Sequence, residues 1–175
     1  GTQSKFIAKK YNFHQLSTGE LLRNEITDKT ELGLTISTKM SNGELVSDEI
    51  VSDLIGKFIS NNNYKNRWIF DGYPRNLIQV KTLENLLKKY NQKIDIVLKL
   101  AVSLDTIKKR ISERKNLEQR ADDNEQIAIK RFEMYEKNIK PVIEFYKQSN
   151  LLSVIDGEKP ISEISDEISG LITTK

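Results

Sequence analysis

The stretch Trp68-Ile69-Phe70-Asp71-Gly72-Tyr73-Pro74-Arg75 restricts the fold of this chain more than any other. Its apolar opening is too short for a helix and ends on Asp-Gly, a turn signal. The pattern predicts a strand that delivers Asp71 to its C-terminal end. In an open α/β sheet that edge is where ligands bind. Gly72 lets a ligand approach the backbone closely. Pro74 fixes φ and stiffens the turn, and Arg75 projects a planar five-donor fork suited to a phosphate. A carboxylate for a metal–water cluster and a guanidinium for an anion, four residues apart, outline phosphate chemistry. Taken alone, the same residues also fit a buried strand, an ordinary turn and a surface arginine.

The 175 residues suit a single domain with room for a sizeable core. The formal net charge of +3 is too small and too evenly spread to recruit nucleic acid or an anionic membrane. With no Cys there is no disulfide framework, thiolate nucleophile or Cys-based zinc site, and the single His14 excludes a multi-His metal site. No apolar run reaches transmembrane length and none reads as a signal peptide, so a cytoplasmic protein is expected. Lysine outnumbers arginine 21 to 7. Positive charge here normally sits on Lys, so each Arg is worth following, because Arg is favoured where bidentate phosphate geometry matters.

In chain order, Gly1 to Lys10 reads as helix. Ser17 or Thr18 caps a helix starting near Glu20, with Arg23 about one turn in. Glu31 to Met40 is a second helix, and Ser47 caps a third with period 3.6 that ends at Asn61-Asn62-Asn63. These helices are expected without a strand of their own before the one at Trp68. Leu77 to Tyr90 is helix, Ile94 to Leu100 strand, and Ser103 caps a helix ending near Arg114. Lys115 to Gln119 is a short polar loop, and Asp122 or Asp123 opens a long helix that Pro141 sits within or bends. Leu151 to Ile155 is strand, and a final amphipathic helix carries Ile161, Ile164, Ile168 and Leu171. Alternating strands and helices predict an α/β fold, a parallel sheet covered by helices on both faces.

Ordered along the chain are Gly1-Thr2-Gln3, Ser17-Thr18-Gly19-Glu20-Leu21-Leu22-Arg23, Gly43-Glu44-Leu45-Val46-Ser47-Asp48-Glu49, Asp71-Gly72-Tyr73-Pro74-Arg75 with Gln79, Arg110-Ile111-Ser112-Glu113-Arg114, Arg120-Ala121-Asp122-Asp123-Asn124 with Arg131, and Asp156-Gly157 with Lys159-Pro160. Each is weak by itself. The ordered set resembles the adenylate kinases, within the nucleoside monophosphate kinases, from end to end. The resemblance implies one domain, residues 1–175, with a P-loop-type parallel sheet, a helical AMP-binding insertion at 17–46 and a short lid at 115–123.

It also implies the reaction ATP + AMP to two ADP with Mg²⁺, in which two anionic substrates are aligned while charge on the moving group is neutralised. By similarity Arg23 and Arg75 hold the AMP phosphate, with Thr18, Glu44, Leu45, Val46, Gly72 and Gln79 around AMP. Arg120 and Arg131 reach between the nucleotides. Arg110 and Arg114 hold the ATP side, bordered by Gly1, Thr2, Gly157 and Lys159. Asp71 and Thr2 serve the metal, Asp71 through water, and an anion is favoured at the helix N-terminus beside Thr2. Thr18 and Gln79 favour AMP over the UMP or CMP of close relatives, since a Gln amide pairs with adenine's donor and acceptor edge. Asn76 also occurs in pyrimidine kinases. The partners expected are ATP, AMP and ADP, taken by a monomer with no nucleic acid and no membrane.

Two departures from the family pattern carry expectations. The Gly-x-x-x-x-Gly-Lys loop and its strand are not in the sequence, which begins at the Gly that would follow that Lys. The sequence therefore reads as N-terminally incomplete or damaged, with a gap in its sheet and little activity, and a non-catalytic nucleotide-binding remnant is the alternative reading. The lid is of the short type, so no zinc is expected. Closure by rotation of residues 17–46 and the lid would exclude water. His14 is expected at the surface or a strand edge, Trp68 in the core, and Tyr73 beside AMP.

Overall fold

The structure, a computed structural model, describes residues 1–60, 65–118 and 125–174. The predicted helix stop at Asn61-Asn62-Asn63, the lid residues 119–123 and the helix starts at Asp122 or Asp123 lie outside the described residues. The described elements run α1 (Thr2–Tyr11), β1 (His14–Ser17), α2 (Thr18–Thr27), α3 (Glu31–Ser41), α4 (Asp48–Ile59), β2 (Trp68–Asp71), α5 (Leu77–Lys89), β3 (Val97–Ala101), α6 (Leu104–Glu118), α7 (Glu125–Gln148), β4 (Leu152–Asp156) and α8 (Ile161–Thr173).

Strand β2 forms where expected, and it has a partner that the sequence did not announce. β1 lies parallel to it, in the register His14↔Trp68 through Ser17↔Asp71. The expectation of no strand before Trp68 is corrected. His-Gln-Leu-Ser holds only Leu16 as a buried apolar residue, so neither a β-branched run nor an alternation marks it. β3 pairs with β4, also parallel, from Val97↔Leu152 to Ala101↔Asp156. β3 starts at Val97 rather than Ile94, and residues 92–96 lead into it without regular structure. The strands therefore form two sheets of two, β1-β2 and β3-β4, with no ladder between β2 and β3 among the described residues.

Side chains alternate across each strand, and three clusters show which face meets what. Ile69 of β2, Leu98 and Leu100 of β3 and Ile155 of β4 pack with Ile7 of α1 and Ile164 and Ile168 of α8. On the opposite face Trp68 and Phe70 join Leu16 and the apolar stripes of α2 to α5. There too Val97 and Leu152 pack with Val80 of α5 and Ile139, Val142 and Tyr146 of α7. Helices thus cover both faces, as expected of an α/β fold. Trp68 is half-buried, and His14 sits edge-on against it, with ring centroids 5.1 Å apart. The imidazole is half-buried rather than at the surface, and burial lowers its pKa from the usual value.

Caps explain several boundaries. Ser17 Oγ accepts from the Glu20 amide at 3.4 Å, Thr30 Oγ1 from Gly33 at 3.0 Å, and Asn76 Oδ1 from Gln79 at 2.8 Å. Ser103 Oγ accepts from the Thr106 amide at 3.2 Å, as predicted. Ser47 precedes α4 without a side-chain cap bond. Helix α6 runs through Glu118, so the loop expected from Lys115 is helical up to that point. Lys, Asn, Leu and Glu carry no helix-breaking residue, and polarity alone was a poor stop signal. Pro141 lies inside α7, which continues across it to Gln148.

Candidate active site

The parallel register sets the site. Because Ser17 lies opposite Asp71, β1 and β2 end side by side, and the two turns that follow them face each other. Thr18 opens α2 immediately after β1, is buried, and donates its hydroxyl to the Gly72 carbonyl at 3.3 Å. Arg75 Nε donates to the same carbonyl at 2.7 Å. Gly72 has φ of +74°, a conformation that costs glycine little, and a Cβ there would sit 3.0 Å from Arg75 Nη2 and 3.5 Å from Thr18 Oγ1. Thr18, Gly72 and Arg75 are thus one assembly. Arg23, one turn along α2, lies back over Gly19, where a Cβ would meet its Nη1 at 3.2 Å.

Arg131 of α7 joins this group through its charge. Desolvation of the Arg75 guanidinium lowers its pKa, the neighbouring Arg131 cation lowers it further, and the Asp71 carboxylate acts the other way. Arg75 as a whole residue is exposed to solvent. It remains charged at neutral pH, since arginine starts far above it. Two cations held together beside one carboxylate form an anion-binding arrangement.

Asp71 accepts from Gln15 Nε2 at 2.8 Å and from the Gly1 nitrogen. Gly1 and Thr2 begin α1, so Asp71 faces a helix N-terminus. Gln15 was missed in the sequence because its strand was missed. Among the described residues no group of three or more His, Cys, Asp or Glu side chains gathers to hold a metal. The hard oxygens that the contacts place here are those of the Asp71 carboxylate. That set suits magnesium, which binds through one or two carboxylates and its substrate's phosphates rather than in an all-protein cage.

Gln79 is buried, and its amide is already engaged: Nε2 donates to Asp48 Oδ1 at 2.6 Å, and Oε1 accepts from the Arg75 amide at 2.7 Å. One N–H and one lone pair of that amide remain. Tyr73 is buried next to it, its hydroxyl 3.3 Å from both Ser52 Oγ and the Gln79 carbonyl. Thr18, Leu21, Leu22, Val51 and Leu54 line a narrow apolar recess between α2 and α4. In the segment between α3 and α4, Glu44 and Leu45 are exposed and Val46 is buried.

The second half-sheet carries the other wall. Arg110 Nη2 donates to the Gly157 carbonyl at 2.7 Å, and the Gly157 amide donates to Ala101 at 2.8 Å. A Cβ on Gly157 would meet that Ala101 carbonyl at 2.9 Å, so the loop lies too close to β3 for a side chain. Glu158, which sequence reading passed over, binds the first turn of α6: its carboxylate accepts from the Ser103 amide at 2.6 Å and from the Thr106 hydroxyl. Those bonds, Thr106 first, lower its pKa, and the Arg110 charge adds a little. Lys159 is turned to Glu167, Nζ to Oε2 at 2.9 Å, and that bond raises its pKa. Arg114 is half-buried one turn beyond Arg110 on α6. Arg120 lies outside the described residues.

Clustered arginines at the end of one strand pair, and an arginine-bordered glycine turn at the end of the other, define a class of site that takes phosphate. The comparisons narrow the class. The sequence profile of the family described as adenylate kinase matches residues 1–151. The adenylate kinase of Pelagibacter ubique (strain HTCC1062) is 40% identical over 198 aligned positions, covering 98% of this chain and 93% of that protein. That of Fusobacterium nucleatum is 36% identical, covering 96% and 90%. That of Prochlorococcus marinus (strain NATL2A) is 39% identical, covering 94% and 87%. The chain belongs to the adenylate kinase family. Among the described residues no helix is long and apolar enough to cross a membrane.

Proposed function

We propose that the chain transfers the γ-phosphoryl group of ATP to AMP, reversibly, giving two ADP. The observation that carries this reading is the joining of Thr18, Gly72, Arg75, Arg131 and Asp71 at the ends of two adjacent parallel strands. In the reaction an oxygen of the AMP phosphate attacks the γ-phosphorus, and the bond to the β-phosphate oxygen breaks. The protein's work is alignment and charge compensation. Arg75 and Arg23 hold the AMP phosphate, and Arg131 stands where charge spreads over the moving group. An anion placed between Arg75 and Arg131 relieves the repulsion that, after burial, lowers the Arg75 pKa. Arg110, Arg114 and the Gly157 turn border ATP. Lys159 meets the nucleotide only by leaving Glu167.

Asp71 and Thr2 would hold magnesium, Asp71 partly through water, and the ion when bound supplies neutralisation of phosphate charge. Thr18, held beside Gly72, and Gln79, with one donor and one acceptor in reserve, support adenine as the base of the acceptor. The test is a coupled assay with ATP, Mg²⁺ and AMP, UMP or CMP. The expected order places AMP first. Faster transfer to UMP or CMP overturns the base assignment, and no transfer to any of them overturns the catalytic reading. In the same assay Arg131→Met is expected to lower kcat by about 10³-fold, the scale of removing a charge-stabilising arginine.

A further inference from the structure

Asp48, the first residue of α4, takes no part in the chemistry above, yet three side-chain hydrogen bonds converge on it. Gln79 Nε2 donates to its Oδ1 at 2.6 Å, and Asn76 Nδ2 lies 3.1 Å from Oδ1 and 3.0 Å from Oδ2. We propose that Asp48 is a positioning residue that sets base selectivity by holding the Gln79 amide in one of its two flip states. The inference rests on the AMP reading.

The reason is the chemistry at the two ends of that amide. A carboxylate only accepts, so it demands the NH₂ end. The Arg75 amide only donates, so it demands the oxygen, and it does so at 2.7 Å. The flip state is therefore decided by donors and acceptors of fixed character rather than by shape. Asn76 is locked the same way, with Nδ2 on Asp48 and Oδ1 accepting from the Gln79 amide at 2.8 Å. A half-buried acidic side chain thus aligns two amides at the start of α5. What remains on Gln79 is one N–H and one lone pair in a fixed order. Adenine offers an amino donor at C6 and an acceptor at N1. Hypoxanthine, of the same size, offers the reverse, an oxygen at C6 and an N–H at N1. A rigid amide matches the first and opposes the second, whereas a rotatable amide serves both.

Calorimetry of the purified chain with AMP, IMP and ribose 5-phosphate tests this. The wild type is expected to prefer AMP to IMP by roughly 10- to 100-fold, the worth of one bidentate contact. In Asp48→Ala the NH₂ end of Gln79 loses its acceptor and only the Arg75 amide still holds the oxygen, so the AMP:IMP ratio should fall severalfold, whereas Asp48→Asn, which can turn its carbonyl oxygen to Gln79, should keep most of it. Ribose 5-phosphate, which has no base, should bind within about twofold of wild type, because the arginines are untouched. Asp48→Ser replaces Asp48→Ala if the latter does not fold, and circular dichroism reports folding for each variant. A ratio retained in Asp48→Ala, or in Asp48→Ser where it stands in, overturns the proposal, and so does an equal loss for all three ligands, which is the mark of a merely structural role. If the wild type binds IMP as well as AMP, the proposal fails while the kinase reading stands; if it binds neither, both fall.

Discussion

The hydroxyl of Tyr146 is buried in the α7 core with no hydrogen-bond partner among the described residues. Burial, with smaller contributions from Glu84 and Tyr73, pushes its pKa up to about 12. Tyr146→Phe removes an unsatisfied polar atom and keeps the ring, so it should stabilise the chain by about 1 kcal/mol in urea unfolding. The sign of the pH dependence follows from the direction of the shift. The folded state keeps its proton longer, so the stabilisation from the neutral phenol is full below the ordinary value of 10.0 and is lost as pH rises toward about 12. The wild type should lose roughly 2–3 kcal/mol more than Tyr146→Phe over that range. Gly72 and Arg75 stood out locally because turn chemistry and a rare arginine mark them, whereas Thr18 read locally only as a cap candidate and entered the site through the family resemblance. Gln15, Asp48 and Glu158 did not stand out. Their partners lie 56, 31 and 55 residues away, and nothing local distinguishes a carboxylate that orients an amide from one that faces water.

Elements were read well where their periodicity was long, as in α4, α5 and α8, and poorly where chain direction changes. β1 and the extension of α6 are the instances: one is too short and too polar to show a period, and the other is polar yet continuous. Two glycine and capping features have consequences here. Gly33, in the first turn of α3, lies against α2 so closely that a Cβ would overlap the Glu25 carbonyl, which belongs to backbone and cannot turn aside. Gly33→Ala is expected to cost about 3 kcal/mol in chemical denaturation. At the N-terminus of α6, Glu158 is held ionised below its ordinary value of 4.5. Its clamp is therefore present above pH 4.5 and lost as pH falls through the lower folded value. Faster hydrogen exchange at the Ser103 and Thr106 amides in that acid window, and at all pH values in Glu158→Gln, checks the assignment.

At the scale of the molecule, the sequence led to parallel strands clothed by helices, and to a gap in the sheet; it did not show how the strands would divide. Asp71, Gly72 and Thr18 lie at the end of one pair of strands, and Gly157 at the end of the other. A dinucleotide that bridges both walls should therefore stabilise the chain by about 2.7 kcal/mol at a hundredfold excess over its Kd, and by more than AMP does at the same concentration, read as a shift in thermal midpoint. Loss of that excess in Arg110→Met would tie it to the far wall. Between β2 and β3 the contact is made by Ile69, Leu98 and Leu100 around the α1 and α8 core, with no backbone ladder among the described residues. That contact is apolar packing, so its strength comes from surface withheld from water rather than from paired backbone groups.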